Sequence, residues 1–168
     1  MIKILFVCHG NICRSTMAEY VMKYLVSQNG LEDKFFIDSA GTSTEEIGNP
    51  VHYGTRNKLN SVNIPVGNHR ARQITKNDLE EFDYLIGMDS ANIRNMKRFY
   101  GFDGFSFGSY LSEKNSSTKK EYENKICKLL EFAGSQDDIA DPWYTGDFEQ
   151  TYQDVLAGCK GLLTKIKL

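Results

Sequence analysis

Cys8 and Arg14 stand six positions apart in the run Cys8-His9-Gly10-Asn11-Ile12-Cys13-Arg14-Ser15, and a carboxylate, Asp141, precedes Pro142 far along the chain. A thiol and a guanidinium at this spacing suit chemistry on phosphorus. Ionised sulfur is a nucleophile, and the planar fork of arginine grips two phosphate oxygens at once, which an ammonium cannot do. Gly10 and Asn11 are residue types that tolerate left-handed backbone angles, so the loop can curl with successive N–H groups facing inward around an anion. The field that binds phosphate also favours a thiolate at Cys8, and Ser15 is placed to donate its hydroxyl proton to that sulfur. Spacing alone is weak evidence, because a lone cysteine at the end of a strand is commonly just a small hydrophobe.

The flanking elements give the loop its meaning. Met1 to Val7 (MIKILFV) is a β-branched and aromatic run, as in a strand buried on both faces of a parallel sheet. After Arg14-Ser15-Thr16, the spacing of Met17, Val21, Tyr24 and Leu25 predicts a helix that Gly30 terminates. Further strands are predicted at 34–38, 82–88 and 104–108, helices near 51–60, 90–99, 119–133 and 148–167, and a polar surface loop at 110–120. Alternating β and α segments imply an α/β fold: a four-stranded parallel sheet flanked by helices on both faces, with the phosphate loop after the first strand. Ligands of such sheets sit beyond the carboxyl ends of the strands, where the strand order reverses. A helix beginning there adds about half a positive charge to the loop.

Expelling an alkoxide or phenolate from phosphorus needs a proton donor. Asp141 is the candidate, in the turn-rich stretch Ile139-Ala140-Asp141-Pro142-Trp143-Tyr144-Thr145-Gly146-Asp147-Phe148-Glu149. Trp143 and Tyr144 supply an apolar wall against an aromatic leaving group, and Asp147 is the natural cap of the last helix.

Composition bounds the rest. The 168 residues suit one domain, 1–168. With 40% hydrophobic and 25% charged residues and a net charge of −2, the chain has no electrostatic footprint for nucleic acid and no apolar stretch long enough for a membrane. The expected partner is a phosphate or related oxyanion in the loop, bound by a monomer. Four cysteines, Cys8, Cys13, Cys127 and Cys159, are too few for a disulfide scaffold, so a reduced, cytoplasmic setting is expected, with unconventional export left open. Cys13 reads equally as core or as a redox partner for Cys8. Zinc on Cys8, His9 and Cys13 lacks a second pair of ligands at suitable spacing.

Val7 to Ser15 and Asp141 to Glu149 together resemble the signatures of the low-molecular-weight protein tyrosine phosphatase family, V-C-x-G-N-I-C-R-S near the start and D-P-x-x-T-G-D-F-E near the end. The likeness covers essentially the whole chain. It implies a metal-independent, cysteine-dependent phosphatase with no cofactor, which hydrolyses phosphotyrosine in proteins, and small aryl phosphates, through a phosphocysteine. By the same resemblance Cys8 is the nucleophile, Arg14 the phosphate clamp, and Asp141 the acid that later activates water. His9, Gly10, Asn11, Ile12, Cys13, Ser15, Trp143 and Tyr144 would contact substrate, and Ser39, His69 and Asp89 would support the loop. Asp89 also reads as a helix cap, and His69 without the resemblance reads as a surface histidine.

The chain departs from that pattern. His9 stands where the family usually has leucine or another uncharged residue, which would make the pocket pH-sensitive. Glu45 replaces an aromatic wall, and with Glu46 would repel acidic peptides. Ile12 resembles the phosphotyrosine branch, whereas phosphoarginine-selective relatives carry threonine there. Two other classes fit less well. A thiol oxidoreductase needs resolving cysteines, but Cys127 and Cys159 sit in core-like patterns, and a silent phosphate-binding module has no use for Cys8, Arg14 and Asp141 together.

Overall fold

Residue alternation along the first strand explains why the chain forms a three-layer structure. The computed structural model describes residues 1–104 and 110–166. In β1 (Ile2–Cys8), Ile4, Phe6 and Cys8 enter one hydrophobic cluster while Leu5 and Val7 enter another on the opposite face. A strand buried on both sides must be apolar at consecutive positions, which is the pattern of the sequence. The sheet is parallel throughout, in the order β2-β1-β3-β4, with β2 at Phe35–Gly41, β3 at Tyr84–Gly87 and β4 at Ile126–Lys128.

Helix α1 (Arg14–Gln28) and the last helix, α7 (Phe148–Lys165), cover the Phe6 face through Met17, Val21, Val155, Cys159 and Leu162. The Leu5 face is covered by α3 (Lys76–Glu81) through Leu79 and by α4 (Ser90–Tyr100) through Met96 and Tyr100. The remaining helices are α2 (Tyr53–Ser61), α5 (Ser116–Asn124) and the single turn α6 (Pro142–Thr145). From β1 the chain passes to β2 on one side, then returns to β3 on the other. The strand order therefore reverses at the end of β1, and the loop 9–13 emerges there.

Strands expected at 1–7, 34–38 and 82–88 are present within a few residues, as are helices near 51–60, 90–99 and 148–167. The helix expected over 119–133 is not continuous. It comprises the end of α5, then β4, then a 3-10 turn at Leu129–Ala133. Asn115 starts α5 early by accepting the Thr118 N–H at 2.8 Å, so 110–120 is not simply a loop. Ile126 and Lys128 leave the helical path because β3 offers them a ladder, and Leu129 and Leu130 are buried in the Phe6-face cluster. The strand expected at 104–108 falls, beyond Gly104, outside the described residues. No helix among them is long and apolar enough to cross a membrane.

Candidate active site

Cys8 ends β1 with its sulfur nearly buried. The Asn11 N–H donates to that sulfur at 3.3 Å, and the Ser15 hydroxyl lies 3.0 Å from it. The N–H groups of Gly10, Ile12, Cys13, Arg14 and Ser15 have no hydrogen-bond partner among the described residues, as an anion nest at a helix start requires. Asn11 takes the left-handed backbone, φ 60°, and makes the curl. Gly10 does not. Its lack of a side chain serves space instead, since a Cβ there would meet Glu46 Cγ at 3.2 Å. Gly41 at the end of β2 lies closer still: a Cβ would sit 2.7 Å from the His9 carbonyl oxygen, so a larger residue would push the loop away.

Behind the loop runs a chain of hydrogen bonds with a defined direction. Asn11 Oδ1 accepts from Arg72 N at 3.0 Å, which fixes its amide so that Nδ2 donates to both Ser15 Oγ and Ser39 Oγ at 2.9 Å. The Ser39 hydroxyl donates to Glu19 Oε2 at 2.5 Å, leaving the Ser15 O–H free to point at the Cys8 sulfur. His69 Nε2 donates to the Asn11 carbonyl at 2.9 Å, and Nδ1 faces Glu19 Oε2 at 3.8 Å. His69 is thus part of this network and its ring is not a surface group. Glu19 was not anticipated from the sequence. It is a charged residue on a helix, and only its burial at 4% exposure marks it.

Arg14 opens α1 and is 3% exposed. Nη1 donates to Asp89 Oδ2 at 2.6 Å and to the Ile139 carbonyl at 3.0 Å, and Nη2 to Asp141 Oδ2 at 2.9 Å. Nε is buried with no partner among the described residues. Burial disfavours the guanidinium charge, but the facing Cys8 sulfur, Asp89 and Asp141 outweigh it and hold the pKa above its ordinary value. Asp89 Oδ1 also caps α4 by accepting from Asn92 N at 2.7 Å, so one carboxylate meets both Arg14 and the helix start. Asp141 likewise caps α6, with Oδ1 accepting from Trp143 N at 3.1 Å, while Asp147 caps α7.

The pocket is lined by Cys8, Ile12, Arg14 and Asp141, with Glu45, Glu46, Trp143 and Tyr144 among the residues around them. His9 Nε2 and Glu45 Oε2 are 3.0 Å apart, so the two departures from the family pattern form one exposed contact. Trp143 and Tyr144 are exposed, and Trp143 meets the ring of His52 edge-on at 5.6 Å. Cys13 also lines the pocket. Burial, reinforced by Cys8 and Asp141, pushes its thiol up to about 12 despite Arg14, so it is a protonated thiol at neutral pH. All four cysteines are free. No group of three or more His, Cys, Asp or Glu among the described residues is placed to hold a metal ion.

A parallel sheet that delivers a sulfur, an inward-facing loop and a buried arginine to its switch point defines an α/β protein built to bind a tetrahedral oxyanion. The model of the family "Low molecular weight phosphotyrosine protein phosphatase" matches residues 3–168. The low molecular weight protein-tyrosine-phosphatase YfkJ of Bacillus subtilis is 41% identical over 169 residues, covering 99% of this chain and 97% of that protein. The human low molecular weight phosphotyrosine protein phosphatase is 38% identical over 96% of this chain and 94% of its own length. The crystal structure of YfkJ superposes with a TM-score of 0.84 over 99% of this chain and 94% of that one. A drosophila arginine phosphatase, 28% identical, superposes at 0.83 over 99% of each chain. The chain belongs to the low molecular weight phosphotyrosine protein phosphatase family, a family of enzymes.

Proposed function

We propose that the chain hydrolyses phosphotyrosine in proteins, and small aryl phosphates, through a phosphocysteine and without a metal. The observation that carries this reading is the unpartnered Arg14 Nε, buried in the lining of a pocket that also holds the Cys8 sulfur. A buried N–H donor left unmade is costly, and a phosphate oxygen satisfies it. Nε and Nη2 form the edge that grips two oxygens, while Asp89 and the Ile139 carbonyl hold Nη1 in place.

Cys8 Sγ attacks phosphorus, forming an S–P bond as the bond to the tyrosine oxygen breaks, and Asp141 passes its proton to that oxygen. Phosphate binding at Nη2 takes the partner of Asp141 Oδ2 and frees the carboxyl for this task. Water then attacks phosphorus, Asp141 accepts its proton, the S–P bond breaks, and phosphate leaves. Ser15 supports the departing sulfur through its directed hydroxyl. Trp143 and Tyr144 flank the tyrosine ring, and Ile12 at the loop's apolar side suits the same substrate. Four free cysteines suit a reduced, cytoplasmic setting.

The test is hydrolysis of p-nitrophenyl phosphate by the reduced protein in a chelator. Cys8→Ser should abolish turnover, and full activity in that variant would remove the covalent route. Peptides bearing phosphotyrosine, phosphoserine or phosphoarginine then decide the substrate, with phosphotyrosine expected to be preferred.

A further inference from the structure

Lys128, on the edge strand β4, is buried, which is rare for a lysine. Its Nζ donates to the Gln136 carbonyl, to Asp138 Oδ1 at 3.1 Å and to Ser90 Oγ at 3.4 Å. Asp138 Oδ1 also accepts from Ser90 N and Ser90 Oγ, both at 3.0 Å. These contacts fasten residues 136–138 to the first turn of α4. One residue on, Ile139 N donates to the Met88 carbonyl at 2.9 Å. Asp141 follows two residues later, so the segment bearing it is tied down on its N-terminal side by these groups outside the pocket as well as by Arg14 Nη1 at the Ile139 carbonyl.

We propose that Lys128, acting through Asp138 and Ser90, is a positioning residue for Asp141. The inference rests on Asp141 being the proton donor. In the free protein Asp141 is held by Arg14 Nη2 at 2.9 Å and by Trp143 N at 3.1 Å. A phosphate that takes Nη2 removes the stronger, charged contact at the moment the carboxyl must face the leaving oxygen. The Lys128 latch then keeps the strap in place together with the Ile139–Met88 bond and the Arg14 Nη1 bond to the Ile139 carbonyl, and a displacement of about 1 Å at a reacting group costs on the order of a hundredfold in rate. No proton passes through Lys128.

The experiment compares kcat/KM for phenyl phosphate and p-nitrophenyl phosphate, because that ratio covers every step up to loss of the leaving group and the nitro ester departs with little help. Lys128→Met should lower the phenyl ester about tenfold and the nitro ester less than about threefold. Lys128→Arg should restore the wild-type ratio of the two esters. With Asp141→Asn already in place, Lys128→Met should add no further leaving-group dependence. Equal losses on both esters, or the same loss with and without Asp141, would overturn the proposal. Asp138→Asn, at a half-exposed side chain, should reproduce the pattern and decides the matter if Lys128→Met does not fold. Should Asp141→Asn itself keep the wild-type leaving-group dependence, the assignment of the acid fails, which is a different result from a latch without effect.

Discussion

The Glu19 carboxylate is buried and shared between Lys23 Nζ at 2.5 Å, Ser39 Oγ at 2.5 Å and the facing His69 ring. This charge orients the Ser39 hydroxyl, the Arg72 N–H orients the Asn11 amide, and together they set the direction of the hydrogen bonds that end at the Cys8 sulfur. The residues of the loop itself were legible as a motif, but Glu19 was not, because nothing in a helical Met17-Ala18-Glu19-Tyr20 run shows which face meets a sheet. His9 and Glu45 are the converse case: each was noticed alone, and the structure joins them at the pocket mouth beside Glu46. Surface pairs of this kind contribute little stability, about 0–1 kcal/mol, so their effect belongs to the charge a substrate meets. Phosphotyrosine peptides with lysine flanks should be turned over with a kcat/KM about tenfold above matched glutamate-flanked peptides. Glu45→Gln should narrow that ratio, and added salt should narrow it as well. An unchanged ratio in both conditions would mean the two acids do not read the flanks.

At the scale of elements, helix starts do most of the positioning. Asp89, Asp141 and Asp147 each cap a helix, and two of them also hold Arg14. His52 caps α2 by accepting Gly54 N–H through Nδ1 at 3.0 Å, and its backbone N–H donates to the Ile12 carbonyl at 2.9 Å. The ring also stacks on Phe148 at 5.3 Å and backs Trp143. Burial holds the His52 pKa below the ordinary imidazole value, although Glu46 and Asp141 pull the other way. The unfolded chain therefore protonates first. Stability from this group is fully present above its unfolded pKa of about 6.5 and declines as pH falls below it. Melting temperatures measured between about pH 7.5 and 5.5 should show this decline, and His52→Asn, which retains a capping acceptor without titrating there, should flatten it. Equal slopes in the two proteins would place the acid sensitivity elsewhere.

Across the whole molecule, α7 closes the structure by lying on α1 and on the 3-10 turn 129–133. Small residues make that approach possible. A Cβ on Gly161 would stand 2.0 Å from the Phe132 carbonyl oxygen, and one on Gly158 would stand 2.5 Å from Leu129 Cγ. Backbone cannot step aside as a flexible side chain does. Gly161→Ala should therefore destabilise the fold by about 1–3 kcal/mol, the usual cost of overpacking, read as a lower denaturant midpoint with little change in slope. A variant as stable as the wild type would show that α7 shifts freely on its bed. This packing also explains why 119–133 is not the single helix that its spacing predicts. Leu129 and Leu130 are apolar because α7 covers them, and Ile126 because it sits on β4 beside β3, so two different environments left one helix-like run of residues.

The order of residues alone determined whatever depends on local chemistry. It placed the doubly buried first strand, the loop that follows it, the cysteine and arginine at its ends, and the aspartates at helix starts near the C-terminus, because these signals are written within a few neighbouring positions. Tertiary structure decided which groups meet across the chain: Glu19 with Ser39, His9 with Glu45, Arg14 with Asp141, and Lys128 with the strap behind the acid. Such pairings depend on how the sheet orders its strands and how closely helices approach it. Those distances follow from packing the entire chain, and no short run of residues encodes them.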